Sequence, residues 1–349
     1  MRLPVSEQGS TRARRGRDEA YREIISVFTV CYELCQQKLR RARGKRGGVL
    51  LKALLDEIER QLADAGVPDP RTDAELLAGH RLDASRGRVQ VLVALGEDLS
   101  DDDTRAIRAL AEQRAERVPL QHLTGRAPFR GIELSVGPGV FTPRPETEMV
   151  TQFAIDALQA VPTAEPLAVD LCTGSGAIAL AIANELPTAR VWAVEKDPQA
   201  HAWATRNVAE LGDGRVTLLC GDLRELDPAH AQSEAADAPI AQALAPLRGR
   251  VHVVVSNPPY VPSGAIPREP EVREHDPELA LYSGEDGLDL IRVISRAARG
   301  LIAPGGLLVL EHAEGQGADI RALLTRDGWR AAATHRDLTG RDRATVAHA

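Results

Sequence analysis

Apolar residues recur along this chain with two different periods, and the change from one to the other divides it. Over residues 50–118 the spacing is helical. Leu51, Leu54, Leu55, Ile58 and Leu62 share one face of a helix that Gly66, Pro68 and Pro70 bring to an end. "TDAE", Thr72 to Glu75, has the pattern of a capping box and predicts the start of a second helix. Ser100 and the three aspartates after it predict another, because acidic side chains favour the positive end of a helix. Ile107, Leu110 and Val118 continue its apolar face. Residues 119–148 alternate apolar with polar positions and then fill with Gly and Pro, which predicts a β-hairpin and a structured linker. From residue 166 onward, short β-branched runs alternate with helical patterns. Strands are expected near 167–172, 190–195, 215–220, 251–256 and 306–311, with two more in the tail around a Gly-containing turn. That alternation implies an α/β domain with a mostly parallel sheet of seven strands, covered by helices on both faces.

Two stretches stand outside this scheme. Residues 229–247 are Ala-rich and read as a surface insertion, partly helical. Residues 19–40 allow a helix with Tyr21, Ile24, Phe28, Cys31 and Cys35 on one face. The expected organisation is a basic extension at 1–48, disordered or partly helical, then a helical domain at 49–118, a hairpin linker at 119–148 and an α/β domain at 149–349.

Charge sharpens the picture. Residues 1–48 hold 12 Lys+Arg against 5 Asp+Glu, a net of +7, within a chain of net −7. The remaining 31 Lys+Arg and 45 Asp+Glu leave residues 49–349 at −14. An acidic body disfavours tight binding to a nucleic-acid backbone, so nucleic acid is not an expected partner. At 349 residues and 43% hydrophobic content the chain can bury a sizeable core. No apolar stretch reaches the length of a membrane span, so no membrane association is expected. Glu19, Glu23 and the lack of a small-residue cleavage site argue against a signal peptide ahead of residues 24–34. The four cysteines are too few and scattered for a disulfide framework, and no second pair completes a zinc site with Cys31 and Cys35. A cytoplasmic monomer without a metal is the expectation.

The chemistry is concentrated at two strand ends. "AVDLCTGSGAIALAIA" (168–183) reads as strand, glycine turn and helix. Gly174 and Gly176 let the backbone turn and approach a ligand, and the following helix presents free amides to it. Glu195 ends the next strand, where an acidic side chain accepts hydrogen bonds from ribose hydroxyls. By itself this arrangement suits a nicotinamide enzyme as well as one using S-adenosylmethionine (AdoMet), because Gly174-x-Gly176-x-x-Ala179 satisfies the dinucleotide fingerprint. "VVVSNPPYVP" (253–262) breaks the tie. Two prolines stiffen the turn and leave Asn257 at the carboxyl end of a buried strand. An amide or amino nitrogen with a delocalised lone pair must be held in line with the methyl donor. The Asn257 side-chain carbonyl and the Pro258 backbone carbonyl are rigid acceptors for its two N–H groups. Tyr260 offers a flat face to a planar group.

The chain is similar to the peptide chain release factor glutamine N5-methyltransferases of the HemK/PrmC type. The resemblance runs over about residues 50–349. It is carried, in order, by "PLQHLTGRAPFRGIEL" (119–134), "PGVFTPRPETE" (138–148), "DLCTGSGAIAL" (170–180), "SNPPYVP" (256–262), "DPELALYSGEDGLD" (276–289) and "DLTGRDRAT" (337–345). It implies a helical N-terminal domain that grips a release factor and a class I, Rossmann-like methyltransferase domain that modifies the glutamine of the factor's Gly-Gly-Gln loop. By position it implies Cys172, Thr173, Gly174, Ser175 and Gly176 as the AdoMet loop, Glu195 on the ribose, and Asp222 with Leu223 beside the adenine. It implies Asn257, Pro258, Pro259 and Tyr260 around the glutamine amide, with Asn257 also beside the cofactor. Arg144, Glu146 and Glu148 fall on the wall of the site. Cys172 replaces the family's usual Gly, Glu195 its commoner Asp, Leu223 a position often aromatic, and "EHAEGQG" (311–317) departs from the usual pattern. Three rivals stay open: a sister enzyme acting on a ribosomal-protein glutamine, a nucleic-acid amino-methyltransferase, and an AdoMet-binding module without turnover. His312 and Glu311 are expected to wall the site or satisfy backbone groups, and His122 to be structural. Cys31 with Cys35 is expected to form one helix face, and Arg341 with Arg343 to be solvated charges at a hairpin turn.

Overall fold

The computed structural model describes residues 48–229 and 238–349. The helix expected within 19–40 and residues 230–237 of the Ala-rich stretch lie outside the described residues. The chain divides into two compact units, Met1–Glu112 and Gln113–Ala349.

The described part of the first unit is helical, with one short ladder. β1 (Val49–Leu50) leads into α1 (Leu51–Asp64), whose buried face is the five-residue stripe of the sequence pattern. α2 (Pro70–Leu82) and α3 (Arg86–Ala94) follow, then β2 (Asp98–Leu99) and α4 (Asp101–Ala115). Two expectations need correction. The unit is not all-helical, because β2 pairs antiparallel with β1. "TDAE" does not open α2, which starts two residues earlier with Pro70 at its first position, where proline's fixed φ is already helical. Glu75 is instead buried and accepts hydrogen bonds from Arg71, Arg86 and Gln90. α3 escaped the sequence reading. The Ser100 cap holds: the Asp103 amide donates to the Ser100 hydroxyl, which donates to the Asp103 carboxylate at 2.6 Å.

The second unit begins with α5 (Leu120–Thr124) and the predicted hairpin, β3 (Arg126–Phe129) and β4 (Ile132–Ser135). Its two-residue turn, Arg130–Gly131, has positive φ at both positions (45° and 79°), as a primed turn requires. Then come α6 (Pro145–Ala160), β5 (Leu167–Leu171), α7 (Ala177–Glu185), β6 (Arg190–Glu195), α8 (Pro198–Leu211), β7 (Val216–Cys220), α9 (Pro239–Leu244) and β8 (Val251–Ser256). α10 (Pro270–His275), α11 (Glu278–Leu281), α12 (Asp289–Leu301), β9 (Ile302–Glu311), α13 (Gly317–Arg326), β10 (Arg330–Arg336) and β11 (Asp342–His348) complete it. β9 begins four residues before the expected 306, through an irregular pairing between Val251 and Val253 of β8. α9 corrects the picture of a surface insertion, since Ile240 and Leu244 are buried in the core.

The seven strands run in the order β10-β11-β9-β8-β5-β6-β7. The pairings within β9-β8-β5-β6-β7 are parallel, and β11 is antiparallel to both β9 and β10. The β-branched runs are explained by burial on both faces. Ala168, Val191, Val253 and Val309 pack with α6, α7 and the hairpin on one side. Val169, Val194, Val254 and Leu308 pack with α9, α12 and α13 on the other. From β5 the chain winds outward through β6 and β7, then returns to place β8 on the other side of β5. The crevice beyond the carboxyl ends of β5 and β8 is therefore a switch point, the place where open α/β sheets bind ligands.

Candidate active site

Register brings the motifs together. Leu171 of β5 faces Ser256 of β8, so Cys172 and Asn257 leave adjacent strands at the same level. The Ser256 hydroxyl ties the two by donating to the Leu171 carbonyl at 2.5 Å. Leu171 also faces Val194, and Ser256 faces Leu310. Glu195, Cys172, Asn257 and Glu311 thus stand in a row across four neighbouring strand ends.

The glycine loop is strained where it crosses that row. Cys172, Gly174 and Gly176 have φ of 62°, 58° and 87°. Only the glycines occupy this left-handed region freely. A Cβ on Gly174 would meet no heavy atom within 4 Å, so the loop presents an open face there. Glu195 staples the loop: its Oε2 accepts from the Gly174 amide and its Oε1 from the Asp197 amide, each at 2.8 Å. Burial pushes its carboxyl up, while those backbone donors pull it back. Each oxygen keeps a second lone pair for a ribose hydroxyl. Asp170 lies fully buried beneath the loop and accepts from the Thr173 hydroxyl and the Ala179 amide through Oδ2. Its Oδ1 has no hydrogen-bond partner among the described residues, and burial pushes its pKa up to about 7. The fully buried Asn207 joins loop to hairpin, donating to the carbonyls of Ser175 and Ser135 and accepting from the Ser135 amide. An open face on a positive-φ glycine, helix amides behind it and an acidic strand end beside it fit the nucleoside and amino-acid parts of AdoMet. Asp222, at the end of the next strand, caps a short 3-10 turn through the Arg224 amide and pairs with Lys196 at 2.8 Å. Leu223 is buried.

The Asn-Pro-Pro-Tyr turn is held from behind. Asn257 Nδ2 donates to the Thr147 hydroxyl at 3.2 Å. The Tyr260 carbonyl accepts from Gln316 Nε2 at 2.9 Å, and a Cβ on Gly287 would stand 2.2 Å from that same oxygen. This explains a glycine in "GEDGLD" as close packing against the turn. Val261 is threaded between the Leu281 carbonyl and the Ser283 amide. The Tyr260 hydroxyl reaches Glu311 Oε1 at 3.5 Å, and burial followed by the Glu311 charge drives the phenol pKa upward. Glu311 itself is buried, with its pKa pushed up to about 7. His312 is buried between the Ala313 carbonyl and the Thr345 hydroxyl, and desolvation lowers its pKa. His122 contacts the Thr142 hydroxyl.

The wall residues separate in role. Arg144 pairs with the buried Asp276 at 2.8 Å and lies over the Phe141 ring. Burial pushes Asp276 up to about 6 against the pull of Arg144. Glu148 accepts from the Arg130 amide in the hairpin turn, and Glu146 pairs with Arg341. Arg343 corrects the expectation of a solvated charge: its side chain is 13% exposed and faces Asp337, with Glu311 and Tyr260 nearby. Thr147, Asn207 and Gln316 were missed, because nothing in their local spacing marks them.

The sheet order and the glycine loop beside an asparagine turn define a Rossmann-like, AdoMet-dependent methyltransferase. Residues 53–125 match the PrmC N-terminal domain family, and residues 168–248 match a methyltransferase domain family. A release factor glutamine methyltransferase of Streptomyces coelicolor is 48% identical over 300 residues, spanning 85% of this chain and 98% of that protein. One from Bifidobacterium longum is 43% identical over 84% of this chain and 98% of its own length. A 4-amino-L-phenylalanine/4-methylamino-L-phenylalanine methyltransferase of Streptomyces pristinaespiralis is 37% identical over 80% and 88% respectively. The chain belongs to the release factor glutamine methyltransferase family.

Proposed function

We propose that this protein transfers a methyl group from AdoMet to the side-chain amide nitrogen of the Gly-Gly-Gln glutamine in a peptide chain release factor. The observation that carries this reading is the register of β5 on β8, which sets the glycine loop and Asn257 side by side at the switch point. AdoMet supplies the methyl group as an electrophile on a sulfonium sulfur. In this reading the loop from Cys172 to Gly176 holds its amino-acid part, Glu195 the ribose, and Asp222 with Leu223 the adenine. Asn257 Oδ1 and the Pro258 carbonyl accept the two N–H groups of the glutamine amide, and Pro259 and Tyr260 shape the slot. Holding both N–H groups turns the nitrogen lone pair towards the methyl carbon and strengthens as the nitrogen becomes positive. The N–CH3 bond forms as the S–CH3 bond breaks and the sulfonium becomes a neutral thioether; the nitrogen, now positive, then loses one N–H proton to solvent, so no strong base is needed. Residues 49–118 dock the release factor, and the protein works as a cytoplasmic monomer.

The test is incubation with labelled AdoMet and, separately, a purified release factor, ribosomal proteins, DNA and 4-amino-L-phenylalanine. Mass spectrometry is expected to place one added CH2 on the Gly-Gly-Gln glutamine. Label confined to another substrate would overturn the assignment. Asn257→Ala is expected to lower kcat about a hundredfold or more with AdoMet affinity intact by calorimetry. Full activity in that variant would remove Asn257 from the chemistry.

A further inference from the structure

We propose that Thr147 and Glu311 are positioning residues that decide which way round the Asn257 carboxamide faces. The inference rests on the reading of Asn257 given above.

An asparagine amide can present either its oxygen or its nitrogen to a substrate, and only the oxygen can accept a substrate N–H. Asn257 Nδ2 points to Thr147 Oγ1 at 3.2 Å, so Oδ1 is the atom left for the substrate. Thr147 sits in the first turn of α6 and is buried. Its hydroxyl carries one proton, and the Asn257 contact is compatible with that proton going elsewhere. Glu311 leaves the strand beside Asn257, and the nearby Thr147 hydroxyl favours its carboxylate form. It ends β9 at the level of Asn257, and its Oε2 has no hydrogen-bond partner among the described residues.

The proton count then fixes the geometry. As a carboxylate, Glu311 only accepts, so the Thr147 hydroxyl donates to it. Thr147 can then only accept from Asn257, which holds Nδ2 against it. Protonated Glu311 can instead donate to Thr147, freeing the Thr147 proton for Asn257 Oδ1. The carboxamide then turns over and sets a donor against the substrate's own N–H. The charged and titratable groups facing Glu311 are Arg343, which favours the carboxylate, Glu146, which opposes it, and the Tyr260 phenol. Burial is the largest influence and places the titration near neutrality, at about 7.

Full-length protein is assayed with a purified release factor and tritiated AdoMet. Thr147→Val keeps the side-chain shape and removes the hydroxyl; Thr147→Ser restores it. Thr147→Val and Glu311→Gln are each expected to lower kcat roughly tenfold, the worth of one hydrogen bond at a buried site. AdoMet affinity by calorimetry stays as in the wild type, and Thr147→Ser recovers most of kcat. Wild-type kcat is expected to rise from about pH 6 to about pH 8, and Glu311→Gln to lose that rise. In protein labelled with ¹⁵N-asparagine, the Asn257 side-chain amide, identified by its loss in Asn257→Ala, is expected to exchange faster with solvent in Thr147→Val. Wild-type kcat in Thr147→Val, equal losses in the Val and Ser variants, or an unchanged pH rise in Glu311→Gln would each overturn the proposal. An active Asn257→Ala would instead bring down the reading of the site itself, so the two failures are distinct.

Discussion

Cys172 is a side chain placed in the glycine loop where the backbone favours glycine. Its φ of 62° is the conformation that a glycine adopts freely and an L side chain resists. Its thiol packs against the core on the α12 side, and burial with the Glu195 charge holds the thiol pKa well above its ordinary value. A thiol kept protonated in this way is a poor nucleophile, so Cys172 acts as a small apolar side chain. Cys172→Gly exchanges relief of strain for lost packing and added chain entropy, and is expected to leave stability within about 1 kcal/mol. Cys172→Val puts a β-branched residue in the left-handed region and is expected to cost about 2 kcal/mol. Urea denaturation of the two variants checks both values; equal stabilities would show that the loop relaxes freely. The same loop shows how far residue types reveal a site. Gly174, Gly176 and Glu195 announce themselves because their chemistry is local to a strand end. Thr147 does not, because its meaning lies in a contact with a residue 110 positions away.

α10 illustrates a helix held by charge instead of by an apolar stripe. None of its residues is buried, yet Glu271 on it pairs with Arg114 at 2.9 Å and Arg117 at 2.6 Å. Their side chains are 13%, 7% and 18% exposed, so the cluster is largely withdrawn from water. Glu271→Ala removes two charge-assisted pairs from a largely buried cluster and is expected to destabilise by about 3 kcal/mol. Burial works against Glu271 ionising, but hydrogen bonds from Arg117 and Arg114 outweigh it and bring its pKa to about 2 from 4.5. Its contribution is therefore present above about pH 4.5 and is lost as pH falls towards 2. Thermal melts of wild type and Glu271→Ala are expected to converge over that window, and a constant difference would refute the ionic account. Strands were readable where burial on both faces makes a β-branched run, and β6 and β8 fall on the residues expected. α3 was not, because Val89 is its single buried residue and no stripe marks it. The supports of the site were hidden for a related reason. Asn207 reaches 72 residues back to Ser135, and Gln316 56 residues back to Tyr260, and neither separation leaves a periodic trace.

The uneven charge divides the molecule close to the residue at which the PrmC N-terminal domain family begins to match. The Streptomyces coelicolor protein accounts for 98% of its own length with 85% of this chain, and the first family match starts at residue 53. Removing residues 1–48 is expected to leave kcat/KM for a release factor near normal; a loss would give the basic segment a part in folding or docking. At the other end of the chain no such freedom exists. β11, which ends at His348, is flanked by β9 and β10 and so lies inside the sheet. It supplies Thr345, whose hydroxyl meets the ring of His312, the residue after Glu311. During synthesis, β9 keeps an open edge until these last residues have cleared the ribosome's exit tunnel. The sheet therefore closes only when β11 inserts between β9 and β10, the last of its seven strands to be made. Because Glu311 ends β9 and Thr345 of β11 holds its neighbour His312, the wall of the site is completed by the strand that is made last.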